Sequence, residues 1–268
     1  MSTSYAIKTS YIPGMDIKAY HERIGYTGGS EPTLETLIAL QKAHLLTVPF
    51  ENLDIHRNIP IYIDPQAQFD KVVRKRRGGF CYELNSLFYQ LLHAMKFETI
   101  MVSARTYNYE RGNFEPEYDH MSILVYVHHI LYLVDVGYGD FAMRPLELDF
   151  QMDQDDERNI YQMRTHDMND LLVSRIENHT ARPLYVFTHT PCRLREFEEM
   201  CKHHQISPGS RFTRKRLVTM PTENGRKTLS GNTFKVTHGR GEIEVEIESE
   251  EEVKVLLKRE FGIDLQYS

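Results

Sequence analysis

Apolar positions recur at helical spacing through the first hundred residues and at strand spacing beyond them. Asp16 is placed to cap a helix running through Arg23, with Gly25 to end it. Thr33 precedes LETLIALQKAHLL, in which Leu34, Leu37, Ile38, Leu45 and Leu46 fall on one helical stripe. A third helix is predicted from Leu84, Leu87, Phe88, Leu91, Leu92 and Met95, spaced i, i+3, i+4, i+7, i+8 and i+11. After Lys96 the period shortens. TIMVSAR, MSILVYV, ILYLVDV and YVFTHT are β-branched and aromatic runs of strand length. From about Arg211 a further set of strands is predicted in RKRLVTM, TFKVTH and the strictly alternating EIEVEIE. Ser249 with Glu252 forms the start signal of a last helix, and Gly262 its end. Helices, then strands, then a mixed tail predict an α+β protein rather than a doubly wound sheet.

Composition narrows the function classes. A chain of 268 residues, 41% hydrophobic and 26% charged, has enough apolar residues for a good core. A formal charge of −6 argues against nucleic acid as a partner, which usually needs a basic face. The basic runs Lys71 to Arg77 and Arg211 to Arg216 read as solvated faces. No apolar stretch approaches the ~18–20 residues of a membrane span, and MSTSYAIKTSYIPGMD lacks a signal-peptide core. Three cysteines at irregular spacing form no disulfide framework, so a cytoplasmic protein is expected.

One stretch stands apart. In RRGGFCYELN, Arg76 to Asn85, two glycines precede a cysteine at the start of the third helix. Gly78 and Gly79 permit a tight turn, and the helix N-terminus favours an anion, so Cys81 is a candidate thiolate nucleophile. The same residue is equally read as a small buried apolar group. A base must come from thirteen histidines. If His128-His129 is the turn between MSILVYV and ILYLVDV, Ser122 lies opposite Asp135, and His120 shares a face with Asp135. Asp135 is a carboxylate inside an apolar strand and needs a partner. That partner is His120 or the backbone of the Gly137–Gly139 turn.

These residues, with their neighbours, resemble the arylamine N-acetyltransferase family. The matching pieces are AYHERIGYTG (Ala19–Gly28), AHLLTVPFENLDI (Ala43–Ile55), RRGGFCYELN, DHM (Asp119–Met121), VDVGYG (Val134–Gly139), ISPGSRFT (Ile206–Thr213) and PTENGRKTL (Pro221–Leu229). The resemblance spans nearly the whole chain. It implies a catalytic triad of Cys81, His120 and Asp135. It also implies a helical bundle lobe over residues 1–97, a β-barrel lobe over 98–205 and an α/β lid over 206–268. The first two lobes would form a core like that of cysteine proteases and transglutaminases.

The activity implied is ping-pong acetyl transfer from acetyl-coenzyme A, a co-substrate, to the nitrogen of an arylamine or arylhydrazine, through an acetyl thioester on Cys81. No permanently bound cofactor and no metal are implied; Cys201, His203 and His204 lack a second ligand cluster. By resemblance Phe50 and Phe141 line the acceptor site. Phe212 would pack on the pantetheine arm, and Arg214, within the run Arg211 to Arg216, would meet phosphate. Backbone N–H groups at Gly137 and Gly139 would receive phosphate too. Glu51, Asn52 and Arg77 read as structural, a carboxylate and guanidinium pair tying the cysteine turn to the preceding segment, and Cys192 and Cys201 as bystanders. The same triad would also serve a thiol hydrolase, a transglutaminase-like enzyme or an amide synthase. The chain departs from the family in lacking tryptophan and in carrying the pair His203-His204. Physiological acceptor, acyl chain and oligomeric state are not legible.

Overall fold

The computed structural model describes residue 12 and residues 14–167 and 170–265. The opening stretch judged for a signal-peptide core lies mostly outside them. The capping signals act where the sequence places them. Helix α1 (Ile17–Ile24) starts with Asp16 accepting from the Ala19 N–H and stops at Gly25, whose φ is 69°. Helix α2 (Leu34–Thr47) is capped by Thr33. A two-residue strand β1 (Phe50–Glu51), the short turn α3 (Leu53–His56) and α4 (Pro65–Phe69) follow; α4 runs on as a wider turn over Asp70–Arg74. Helix α5 (Cys81–Ala94) lies at the centre of this part, buried from Cys81 through Leu92.

The strands between Lys96 and Cys192 form one antiparallel sheet. They are β2 (Glu98–Asn108), β3 (Asn113–Phe114), β4 (His120–Val127), β5 (Ile130–Val134), β6 (Leu146–Glu147), β7 (Gln154–Asp155), β8 (Ile160–Thr165), β9 (Asp170–Glu177) and β10 (Thr180–Pro191). Their order is β6-β5-β4-β2-β10-β9-β8-β7, with β3 beside β2. The two end strands meet through one side chain: the Gln154 amide donates to the Glu147 carbonyl and accepts from its N–H, both at 2.7 Å. That contact nearly closes the sheet into a barrel around Val102, Leu124, Leu133, Tyr161, Val173, Tyr185 and Phe187. Strands β8 and β9 were not predicted.

Helices α6 (Glu198–Ile206) and α7 (Arg211–Arg214) precede a second sheet of β11 (Leu217–Thr222), β12 (Gly225–Ser230), β13 (Thr233–His238) and β14 (Gly241–Glu246), backed by α8 (Glu250–Phe261). Ser249 caps α8 and Gly262 ends it. The fold is α+β. Two expectations change here. Arg211–Arg214 is a helical turn rather than the lead-in to a strand, because the Ser210 hydroxyl accepts from the Phe212 N–H and starts a turn. The alternation in β14 buries neither face, because it is the sheet's outer edge. At the opposite edge β11 pairs with β1, Phe50 facing Thr219, so a strand from the helical part completes the sheet of the tail.

The basic run Lys71 to Arg77 is not simply a solvated face. Arg77 is buried against Glu51 at 2.7 Å and Asp54 at 2.9 Å, and Lys71 against Asp54 and Glu83, both at 2.8 Å. Three carboxylates draw these two cations inward while Arg74, Lys75 and Arg76 stay outside. The cluster fixes the turn before Cys81. Gly78 and Gly79 serve it by close approach, not by special angles: a Cβ on Gly78 would lie 2.0 Å from the Pro49 carbonyl oxygen, and one on Gly79 would lie 2.8 Å from Glu83. The left-handed residue is Arg76, at φ 52°. Removing one member of a buried ion cluster strands the others without a counter-charge. Arg77→Ala should therefore lower stability by about 3–5 kcal/mol in urea unfolding; a loss under about 1 kcal/mol, the scale of an exposed pair, would refute a clamping role.

Candidate active site

Cys81 opens α5, where the Glu83 carboxylate caps the helix by accepting from the Phe80 N–H at 3.2 Å. The next two polar side chains on this helix reach across to the barrel. The Tyr82 hydroxyl donates to the carbonyls of Tyr118 and Asp119, at 2.6 and 3.0 Å. The Asn85 amide donates to the Met121 carbonyl at 2.5 Å and to Asp135 Oδ1 at 2.8 Å, and accepts from the Val136 N–H at 2.8 Å. The two side chains thus staple both flanks of His120, the Asp135 carboxylate and the Val136 N–H to the turn bearing the sulfur.

His120 and Asp135 meet through the predicted hairpin. His128 and His129, at φ 48° and 68°, form its tight turn, and the register runs to Ile123 opposite Val134. Beyond it His120 Nε2 lies 2.6 Å from Asp135 Oδ2. Both partners suggested for Asp135 are present, since the Gly137 N–H also donates to Oδ1 at 2.9 Å. Ser122 at 3.3 Å and Tyr185 at 3.1 Å add donors to Oδ2. Burial alone would raise the Asp135 carboxyl; the His120 imidazole, the Asn85 amide and the Gly137 N–H outweigh it and hold it below its ordinary value. With Nε2 engaged, Nδ1 is the ring nitrogen left for a proton. The imidazole packs against the rings of Tyr138 and Tyr185, 5.6 and 5.3 Å away between centroids, and these two rings also touch each other at 5.4 Å.

Cys81 is only 2% exposed, yet it is not sealed in hydrocarbon. Cys81 and His120 line one cavity of about 340 Å³ with Phe50, Tyr138, Phe212 and Leu217. That volume suits a small organic ligand. Burial pushes the thiol up, and so does the Asp119 carboxylate; Arg211 and the Tyr82 N–H pull the other way without cancelling them. A resting thiolate sustained by the helix terminus alone is therefore not what the surroundings favour. Asp119 itself is held at about 2: burial opposes its ionisation, but His204 at 3.2 Å, Arg211 and the Thr106 hydroxyl overcome that cost.

Of the residues nominated from sequence, Phe50, Gly137, Gly139 and Phe212 line this cavity beside Cys81 and His120. Asp135 stands behind His120. Phe141 does not join them. It is buried against Tyr138, Tyr161 and Tyr185 in the barrel core and borders a different, more polar recess. Arg214 is turned outward and pairs with Glu110 at 3.0 Å. The Gly137 N–H is spent on Asp135, so it is not open to phosphate. A Cβ on Gly137 would come within 2.8 Å of the Cys81 carbonyl oxygen, so its role is close packing on the cysteine turn. Arg77 and Glu51 pair as read, but Asn52 does something else: its amide binds the carbonyls of Phe212 and Lys215 and the Leu217 N–H. Cys192 and Cys201 are buried free thiols outside the cavity, and among the described residues no cluster suits a metal.

Sequence reasoning missed Tyr185 and Asn85, and placed Ser122 opposite Asp135 without giving it a role. Asn85 carried a signal, lying four residues after Cys81 on the same helix face; Tyr185 carried none.

A family model described as N-acetyltransferase matches residues 33–268. Arylamine N-acetyltransferase 1 of Homo sapiens is 33% identical over 278 residues, covering 94% of this chain and 95% of the relative. The arylamine N-acetyltransferase of M. tuberculosis, 28% identical, superposes with a TM-score of 0.87 over 94% of this chain and 95% of its own. That of Mycobacterium marinum, solved in complex with CoA, is 25% identical with a TM-score of 0.86, covering 94% of both chains. Sequence, fold and spacing agree, and the chain belongs to the arylamine N-acetyltransferase family.

Proposed function

We propose that the protein transfers an acetyl group from acetyl-coenzyme A to the nitrogen of an arylamine or arylhydrazine, with Cys81 as the acyl carrier. The observation that carries this reading is one cavity holding both Cys81 and His120, with His120 tied from behind to Asp135 at 2.6 Å. In the division expected from sequence, at residues 97/98 and 205/206, that cavity draws on all three lobes. Three free thiols suit the reducing cytoplasm expected from sequence. Among the described residues no helix is long and apolar enough to cross a membrane.

The chemistry follows from the surroundings of the sulfur. The thiol proton of Cys81 passes to His120 Nδ1, and Asp135 stabilises the imidazolium, which in turn holds the sulfur as the attacking thiolate. A bond forms from sulfur to the acetyl carbon, the bond from that carbon to the coenzyme sulfur breaks, and the imidazolium returns the proton to the departing thiolate. Coenzyme A then leaves. The amine nitrogen attacks the Cys81 thioester, its surplus proton passes to His120, and the restored thiol ends the cycle. Thioester exchange is nearly neutral in energy, so position is the main contribution of the protein. An aniline nitrogen is unprotonated at neutral pH, and walls of Phe50, Tyr138 and Phe212 favour a flat apolar ring over a lysine chain. A protease or transglutaminase would need a groove for a polypeptide, which a cavity of about 340 Å³ does not supply.

Two measurements test this reading. Intact mass spectrometry after mixing with acetyl-coenzyme A should show one added acetyl group, lost in Cys81→Ser and kept in Cys201→Ser. An adduct that survives Cys81→Ser would exclude it. Asp135→Asn should cut kcat/KM by orders of magnitude, because it imposes the wrong donor on His120. Tyr185→Phe leaves two side-chain donors on Asp135 Oδ2 and should cost about tenfold or less; equal losses in the two variants would contradict the graded hold on Asp135.

A further inference from the structure

Of the pair His203-His204, where the chain departs from the family's pattern, His203 is exposed and His204 is buried. The buried ring touches a chain neighbour of each reacting residue. It stacks along Tyr82, which follows Cys81, with 6.0 Å between centroids and 28° between planes. Its Nε2 is 3.2 Å from the carboxylate of Asp119, which precedes His120, and 3.3 Å from the Asp119 carbonyl. Both are acceptors, so Nε2 carries a proton. Nδ1 faces the Ser210 hydroxyl at 3.2 Å, and Phe212 meets the ring edge-on at 5.0 Å. Two engaged nitrogens and two packed rings fix its orientation.

Neither the triad of Cys81, His120 and Asp135 nor the cavity wall uses this second histidine–carboxylate pair. Asp119 is 3% exposed and ionised, its carboxyl held at about 2. Burial and then Asp119 push the Cys81 thiol up, as a fixed negative charge near a sulfur must. Little else offsets that charge. The Thr106 hydroxyl that donates to Asp119 is neutral, and Arg211 is 3.9 Å away and half exposed, where solvent weakens its pull. His204 is the partner both close and enclosed. The other titratable groups bearing on the pair, among the described residues, are Tyr82 and Cys81 on α5 and Cys201 and His203 on α6. Tyr82 spends its hydroxyl on the carbonyls of Tyr118 and Asp119 rather than on the carboxylate.

We propose that His204 is a positioning residue of the acyl-transfer site that acts through Asp119: by holding this carboxylate it keeps the charge from opposing the Cys81 thiolate. The role presupposes acyl transfer at Cys81. Without the imidazole, an enclosed carboxylate would be left with one hydroxyl and a half-exposed guanidinium. Its field would then reach the sulfur through a poorly screening interior. The two histidine–carboxylate pairs thus have opposite duties. Asp135 uses its charge to stabilise the His120 imidazolium, whereas the charge of Asp119 has to be covered.

The test reads the thiolate directly. Iodoacetamide, small and uncharged, alkylates thiolate, and peptide mass assigns the adduct among the three cysteines. The alkylation rate of Cys81 is followed against pH. In His204→Leu the midpoint of that profile should rise by about half a pH unit or more, a loss of about threefold or more in thiolate below the midpoint. His204→Phe, which keeps a flat ring against Tyr82, serves with the same expectation if the leucine variant does not fold. Adding Asp119→Asn should cancel the rise, and should lower the midpoint more in the absence of His204 than in its presence. An unmoved midpoint in a folded His204 variant would overturn the proposal, and so would equal effects of Asp119→Asn in both backgrounds. Uniform slowing at every pH would assign His204 to packing alone and refute the role. Formation of acetyl-Cys81, followed by mass on the same preparations, separates the premises. Its absence in the wild type would remove the acyl-transfer reading, and the role in that reaction with it, whatever the alkylation midpoints.

Discussion

The arrangement depends on one buried carboxylate. Asp135 is fully enclosed, and an unpaired charge there would cost several kcal/mol. Its partners come from four places in the chain: Asn85 on α5, His120 and Ser122 on β4, Tyr185 on β10 and the Gly137 N–H two residues on. Together they make the charge tolerable. Satisfying Asp135 therefore assembles the site: α5 docks on the barrel, the imidazole is oriented, and the glycine turn packs on the Cys81 backbone. Folding and chemistry share one constraint.

A second charge cluster works on the other side of the sulfur. Lys71 and Arg77, against Glu51, Asp54 and Glu83, hold the turn that delivers Cys81. Glu51 also lies in β1, which pairs with β11 of the tail sheet. The cysteine turn is thus linked by hydrogen bonds to the segment that supplies Phe212 and Leu217, and Asn52 reinforces the link through the backbone of Phe212, Lys215 and Leu217. The Asp135 network faces the barrel and this one faces the tail. Between them they leave a cavity lined by Cys81 and His120, by the rings of Phe50, Tyr138 and Phe212, and by the polar side chains of Asn52, Arg211 and Lys215.

Where local chemistry decides, the residues could be read directly. Caps at Asp16, Thr33 and Ser249 and stops at Gly25 and Gly262 set helix ends from their own side chains and angles. The two-residue turn at His128-His129 brought His120 to Asp135 by period-two geometry alone. Legibility failed where distant parts of the chain decide. Resemblance alone assigns Phe141 to the cleft, and its ring instead packs in the barrel core beside the clamp of Arg175 and Arg226 on Asp140. Within the run Lys71 to Arg77 only Arg77 was legible as an ion-pair member; Lys71 looked like surface because its acids, Asp54 and Glu83, lie elsewhere. Tyr185 sits in a strand whose partners are far away in sequence, so nothing nearby marked its hydroxyl. Gly78 was singled out for conformational freedom, and what it needs is room beside Pro49.

The central claim is that the acetyl group rests on sulfur between two half-reactions that use one cleft in turn. Its most direct test is to acetylate the protein, remove all coenzyme A, and mix the isolated acetyl-enzyme with an arylamine while following the first turnover. The account predicts one equivalent of acetylated amine, formed at a rate no slower than steady-state kcat. An isolated acetyl-enzyme that fails to transfer, or transfers far more slowly than turnover, would contradict it.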